Sequence, residues 1–178
     1  MLTHEQIIKG CIKNDRKVQK ELFERFSPKM YGYCLRYSTN AADAQDVLQE
    51  GFIKVFEKIS TLKNPDQLEG WMSRIFINLA ISRFRKNKIA PNMLSTDDVD
   101  VAEEAPIEEM NELTPTEVLA KMQELPELYK TVLNLYAIDG HSHREISQML
   151  DITETNSKSI LSRSRKMLRE LISKKPTK

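Results

Sequence analysis

Every strong hydrophobic pattern in this 178-residue chain repeats with the period of an α-helix, and none alternates as a strand does. The first helix is expected after Thr3, which forms a capping box with Gln6 three residues on. A second is expected from about Asp15 to Tyr37, bent near Pro28, because proline removes an internal hydrogen bond. A third runs from about Ala41 to Ile59, where Ala44, Val47, Leu48, Phe52, Val55 and Ile59 fall on one face. The fourth opens after Asn64-Pro65, a cap followed by a first-turn proline. It is expected to turn Leu68, Trp71, Met72, Ile75, Phe76 and Leu79 inward and to reach about Lys86.

The periodicity disappears between Asn87 and Leu113, where Pro91, Pro106 and acidic residues dominate. Such a stretch has too little apolar content to fold alone. Thr114-Pro115 then starts a fifth helix by the same cap-and-proline device. Pro126 begins a sixth, with Leu125, Leu128, Tyr129, Val132 and Tyr136 expected to face a core. The expected fold class is all-α. Two small helical domains, residues 1–88 and 114–178, are joined by a flexible acidic linker over 89–113.

The most specific stretch lies between Gly140 and Arg165. Ser142 and Glu145 form a capping box that starts a short helix, Asp151 supplies a turn, and Thr153 caps a longer basic helix. Two helices joined so tightly form a helix-turn-helix, whose second helix enters the DNA major groove by its N-terminal end. On that helix Ser157, Ile160, Leu161, Ser164, Leu168 and Leu171 share the inward face. Thr155, Asn156, Lys158, Ser159, Ser162 and Arg163 remain outside, as donors suited to phosphates and base edges. Arg165, Lys166 and Arg169 would follow the DNA backbone, where contacts position without specifying sequence.

Charge sharpens this picture. The net charge is only +1, but it is unevenly placed. Arg74, Arg83, Arg85, Lys86 and Lys88 lie in a stretch without acids. Residues 95–117 carry only acids, and the C-terminal segment from His141 is again basic. Two polyanion-binding surfaces with an acidic spacer fit that distribution. On the third helix Asp43, Asp46, Gln49 and Glu50 line the side opposite the apolar face. That stripe would repel DNA and suits a basic protein partner; an ordinary solvated face has the same periodicity. On the fourth, Arg74, Asn78, Ser82 and Arg85 make a basic strip near Phe76 and Phe84. Single-stranded bases are bound by that combination of stacking and charge, and a core helix with a wet edge has the same spacing.

Other chemistries are poorly supported. No run approaches the roughly 18 apolar residues of a membrane span, and the N-terminus lacks a secretion signal's basic and apolar regions. The chain is therefore expected to be cytoplasmic, with Cys11 and Cys34 as reduced structural thiols. His141 and His143 lack a third ligand nearby and are read as residues that open a helix, so no metal or other cofactor is expected. No nucleophile-base pair or Gly-rich phosphate loop suggests an enzyme or a small-molecule substrate.

Three segments, in order, resemble the sigma-70 family of transcription initiation factors. Residues Asp43 to Phe56 resemble its polymerase-binding segment, Gly70 to Arg85 the segment that opens and reads the −10 promoter element, and Leu125 to Arg169 the domain that reads the −35 element. With only these two domains, the chain looks like the extracytoplasmic-function (ECF) subgroup. The resemblance implies that Asp43, Asp46, Gln49 and Glu50 meet core RNA polymerase, with Asp46, Gln49 and Glu50 on the clamp helices of its largest subunit. It implies that Asn78, with Arg74, Ser82 and Arg85 nearby, meets the melted −10 strand. The loop Ser60–Asn64, including Lys63 and Asn64, sits where the family captures a flipped base. Lys158, Ser159, Ser162 and Arg163, with Thr155 and Asn156, match positions that enter the duplex −35 groove. The acidic linker matches a segment threaded through the RNA exit path, and an anti-sigma factor is a further implied partner. The chain departs from the family pattern at Thr155-Asn156-Ser157, where Gly-Thr-Val is usual, so Ser157 places a hydroxyl on a normally apolar face. A stand-alone regulator sharing the helix-turn-helix would instead carry a receiver or ligand domain with strands in its N-terminal half.

Overall fold

A computed structural model describes residues 1–87 and 114–173; the expected acidic linker and the last basic residues lie outside these. The described residues are helical throughout, with turns between and no strand, and the chain divides into two compact units after Asn87.

The N-terminal unit contains four helices: α1 His4–Ile12, α2 Arg16–Tyr37, α3 Ala41–Lys58 and α4 Leu68–Asn87. Each start has a local cause. The Thr3–Gln6 capping box is formed, Asp15 accepts from the Lys17 and Val18 amides, and Asn40 accepts from Asp43. Pro28 is exposed within α2, which nonetheless continues as helix to Tyr37. Between α3 and α4 the chain makes two short 3₁₀ turns, Ile59–Thr61 and Pro65–Gln67, the second capped by Asn64. One core joins α2, α3 and α4. Leu22, Met30, Val55, Leu68, Met72 and Phe76 are all fully buried in it, and Phe52 meets Phe76 edge-on at 5.4 Å. Burying each such side chain contributes about 1.5–3 kcal/mol. Helix α1 closes the unit against α2 and the 3₁₀ turns through Ile7, Ile8 and Cys11. The thiols of Cys11 and Cys34 are both free and buried, and burial pushes them up to about 11 and about 12 respectively. Both therefore stay protonated at neutral pH.

The C-terminal unit contains α5 Pro115–Gln123, α6 Glu127–Leu133, α7 His143–Leu150 and α8 Glu154–Ser173. Thr114 not only caps α5 but forms a full capping box with Glu117. Helix α6 runs into one π-turn, Asn134–Ile138, before the chain reverses at Gly140, whose φ is +74°. The buried part of this segment is the continuous run Lys130–Leu135. Leu128, Tyr129 and Tyr136, expected to face the core, are only half-buried. The helix is covered from more than one side, so a single apolar stripe does not describe it. Lys130 is 4% exposed and donates from Nζ to Gln123 Oε1 at 3.0 Å. Burial lowers its pKa.

Candidate functional site

Three exposed helix faces carry the residues singled out from the sequence. The first is on α3. At about 100° per residue, Asp43, Asp46, Gln49 and Glu50 fall within about 120° of arc, opposite the buried Ala44, Val47, Phe52 and Val55. Asp43, Asp46 and Gln49 are exposed, and the structure distinguishes their circumstances. Asp43 is held at the helix start by the Thr39 hydroxyl and by Asn40 Nδ2, the latter at 2.9 Å. Glu50 is half-buried. Its Oε2 accepts from Arg83 Nη2 at 2.7 Å and Nε at 3.2 Å, and its Oε1 lies 3.5 Å from Lys54 Nζ. The Arg83 hydrogen bond holds this carboxyl below its ordinary value. Glu50 therefore cross-links α3 to α4, whereas Asp46 and Gln49 project outward. In the middle of the same arc stands Ile53, 58% exposed, which the sequence reading passed over. Its spacing, four residues after Gln49 and seven after Asp46, was the available signal.

The second face is on α4. Arg74, Asn78, Ser82 and Arg85 are all exposed, and they lie within about 80° of arc. The rest of α4 is buried along nearly its whole length, through Met72, Phe76, Leu79, Ala80 and Phe84. This corrects the expected stacking surface. Phe76 is fully buried and Phe84 is 4% exposed, so neither ring can stack on a base. Trp71, expected inward, is only half-buried and falls inside the arc of the basic strip, one turn before Arg74. Its spacing of three and seven residues from Arg74 and Asn78 already placed it there; the assumption that a large aromatic belongs in the core hid it. Lys63 and Asn64 are exposed in the loop before α4, where Asn64 Oδ1 accepts from the Asp66 amide at 3.0 Å.

The third face is on α8, the second helix of the helix-turn-helix. The Ser142–Glu145 capping box starts α7, and α7 ends at Asp151 in the left-handed conformation with φ +56°. Asp tolerates that conformation better than most residues. Thr153 Oγ1 accepts from the Asn156 amide at 3.1 Å and so caps α8. Thr155 and Lys158 are exposed; Asn156, Ser159, Ser162 and Arg163 are half-buried along the outer half of the helix. Inward, Ile160, Leu161 and Leu168 are buried, as are Ile146 and Leu150 of α7, and α8 packs against α5, α6 and α7. Two inward serines are satisfied by hydrogen bonds. Ser164 Oγ lies 3.0 Å from Tyr129 O and 2.7 Å from Ile160 O, to which it donates. Ser157 Oγ is 2.9 Å from His143 Nδ1. The His143 ring stacks on Tyr136 at 4.7 Å between centroids, and the Arg165 guanidinium lies over the same Tyr136 ring at 5.7 Å. Burial, Lys158 and Arg165 lower the His143 pKa. Among the described residues no cluster of metal ligands occurs and no helix is long and apolar enough to cross a membrane.

The chain is similar to known proteins in sequence and in fold. Residues 22–89 match the family described as Sigma-70 region 2, and residues 116–168 match Sigma-70, region 4, together more than half of the chain. The chain is 29% identical to the ECF RNA polymerase sigma factor SigW of Bacillus subtilis, across 93% of this chain and 97% of that one. It is 27% identical to the ECF RNA polymerase sigma-E factor of Haemophilus influenzae, covering 96% of each. Among solved structures, the sigma factor RpoE of Bartonella quintana in complex with the anti-sigma factor NepR shares the fold, with a TM-score of 0.52 at 18% identity over 87% of this chain and 96% of that one. Two region matches in family order, on a chain spanning nearly the full length of these two relatives, establish that it belongs to the sigma-70 family in the ECF subgroup: it is no enzyme but a sigma factor, which binds RNA polymerase, recognises the −10 element through region 2 and recognises the −35 element through region 4.

Proposed function

We propose that the three exposed faces divide this work between them. The α3 face, with Asp46, Gln49 and Ile53 outward, docks on core RNA polymerase. Ile53 supplies apolar contact at the centre of a polar ring, the arrangement that concentrates binding energy in protein interfaces. Asp43 and Glu50 border the same face and act chiefly by holding it in shape. The α4 strip of Arg74, Asn78, Ser82 and Arg85 meets the melted −10 strand. Trp71 is the aromatic placed to stack on a base there, and Lys63 and Asn64 belong to the Ser60–Asn64 loop that captures a flipped base. On α8, Thr155, Asn156, Lys158, Ser159, Ser162 and Arg163 face the −35 duplex.

In this reading residues 1–88 form the polymerase and −10 domain, residues 114–178 form the −35 domain, and residues 89–113 tether them. Tethering two modest sites raises the effective concentration of the second once the first is engaged. The protein acts in the cytoplasm, where polymerase and promoter are, and needs no cofactor. An anti-sigma factor, of the kind bound to the Bartonella quintana protein, would silence it by covering the α3 face.

The observation that carries this reading is that α3 and α4 share one core yet present opposite chemistry outward, an acidic-apolar arc on one and a basic arc with Trp71 on the other. A gel shift on promoter duplex tests it. Free protein should bind weakly, and protein with core polymerase should bind strongly and specifically. Equal affinity with and without polymerase would overturn the proposal.

A further inference from the structure

The hydroxyl of Ser157 is fully buried at the seam where the N-terminal half of α8 packs against α7. An apolar side chain there would add burial but no directionality, because hydrophobic contact is indifferent to rotation. A hydrogen bond weakens steeply as it bends or lengthens, so it fixes angle as well as distance. The bond from Ser157 to His143 Nδ1 therefore constrains the rotation of α8 about its own axis. His143 is in turn held by stacking on Tyr136, and Tyr136 also receives Arg165 on its ring. Ser157 and Arg165 are eight residues apart, about 12 Å along the helix at 1.5 Å per residue. One His143–Tyr136 stack thus grips α8 at two points two turns apart.

Resting on the reading that α8 faces the −35 element, we propose that His143 is a positioning residue for −35 recognition. It sets the rotation at which Thr155, Asn156 and Ser159 enter the groove, without itself touching a base. Base-edge contacts require alignment, whereas phosphate contacts by long basic side chains tolerate small rotations. Loosening this grip should therefore lower sequence discrimination more than it lowers DNA affinity in general.

The test uses holoenzyme reconstituted from core polymerase and full-length protein carrying His143→Ala, Ser157→Ala, both changes, or His143→Asn. The probe is a promoter fragment mapped from transcripts that the wild-type holoenzyme initiates, with its −35 segment intact or scrambled. Each alanine variant should lose about fivefold or more of the discrimination between the two fragments, with affinity for the scrambled fragment and for polymerase little changed; His143→Ala, which leaves the buried hydroxyl without this partner, should lower the thermal midpoint more than Ser157→Ala does. The double variant should be no worse than His143→Ala alone, because that change has already removed the Ser157 bond. His143→Asn keeps a hydrogen-bonding atom near the position of Nδ1, so it should restore part of the discrimination with Ser157 present and none with Ser157→Ala. Full discrimination in both alanine variants would overturn the proposal. So would additive losses, or losses on both fragments that track a fall in thermal midpoint. If wild-type holoenzyme itself ignores scrambling of the −35 segment, the reading of α8 fails rather than the role of His143.

Discussion

Gly51 stands where α3 crosses α4, and an added methyl group there tests whether that crossing is as tight as the structure shows. An ideal Cβ at Gly51 would lie 2.1, 2.5 and 2.7 Å from three ring carbons of Phe76. Unstrained carbon contacts are about 3.5–4.0 Å, so the ring would have to retreat by more than about 1 Å. Phe76 is fully buried and already meets Phe52 edge-on, so it has nowhere to go. Overpacking of this kind costs typically about 1–3 kcal/mol, and a clash this deep belongs at the upper end. Alanine would recover about 1 kcal/mol of helix propensity over glycine. The net expectation for Gly51→Ala is about 2 kcal/mol of destabilisation in the N-terminal unit. For a unit of about 60–100 residues that is roughly 8–16 °C in midpoint. Trp71 is the only tryptophan in the chain, so its fluorescence follows unfolding of this unit alone in the full-length protein. Adding Phe76→Leu removes the offending ring edge, and the pair should be less destabilised than the two single changes summed. An unchanged or raised midpoint for Gly51→Ala would refute the packing argument, and with it the fixed relation between the α3 and α4 faces.

The remaining expectations concern charge. Asp46→Arg should abolish polymerase binding in a pull-down while leaving the unfolding free energy within about 0.5 kcal/mol of wild type, because the side chain is exposed. Glu50→Gln should weaken the pull-down less, since that carboxylate is already neutralised by Arg83. Glu50 has a lowered pKa in the folded state, so its bridge contributes above the ordinary carboxylate range and is lost as pH falls through the folded value. Wild type should therefore exceed Glu50→Gln by under about 1 kcal/mol in urea unfolding at pH 7, and the difference should vanish in acid. Arg163→Ala should cost about 1–3 kcal/mol at one −35 base pair in a mutated-site binding series if its contact is bidentate; a uniform loss across all sequences would make it a phosphate contact.

What was legible in the sequence was what is local. Thr3 with Gln6, Thr114, Ser142 with Glu145 and Thr153 act within one helical turn, and each cap appears where its residues predict. The helix-turn-helix followed from the same local signals, with Asp151 at the turn as expected; that Asp151 is left-handed is a finding of the structure. Illegible features depend on which elements meet. The Glu50–Arg83 bridge spans 33 residues, and the His143–Ser157 bond depends on the angle between two helices. Trp71 was misplaced for a different reason. Its position on the strip follows from spacing, but the helix is apolar almost all round, so its periodicity is weak and the size of the ring decided the assignment. The run Lys130–Leu135 failed likewise, because a helix buried on more than one side has no single stripe to read.

The central claim is that two helical units recognise two promoter elements through one polymerase. Mapping the 5′ ends of transcripts made on fragmented genomic DNA by purified core polymerase, with and without this protein, tests it most directly. The account predicts a discrete set of start sites that appear only with the protein and share two sequence elements at a fixed separation upstream. Start sites that are the same without the protein, or that share only one element, would contradict it.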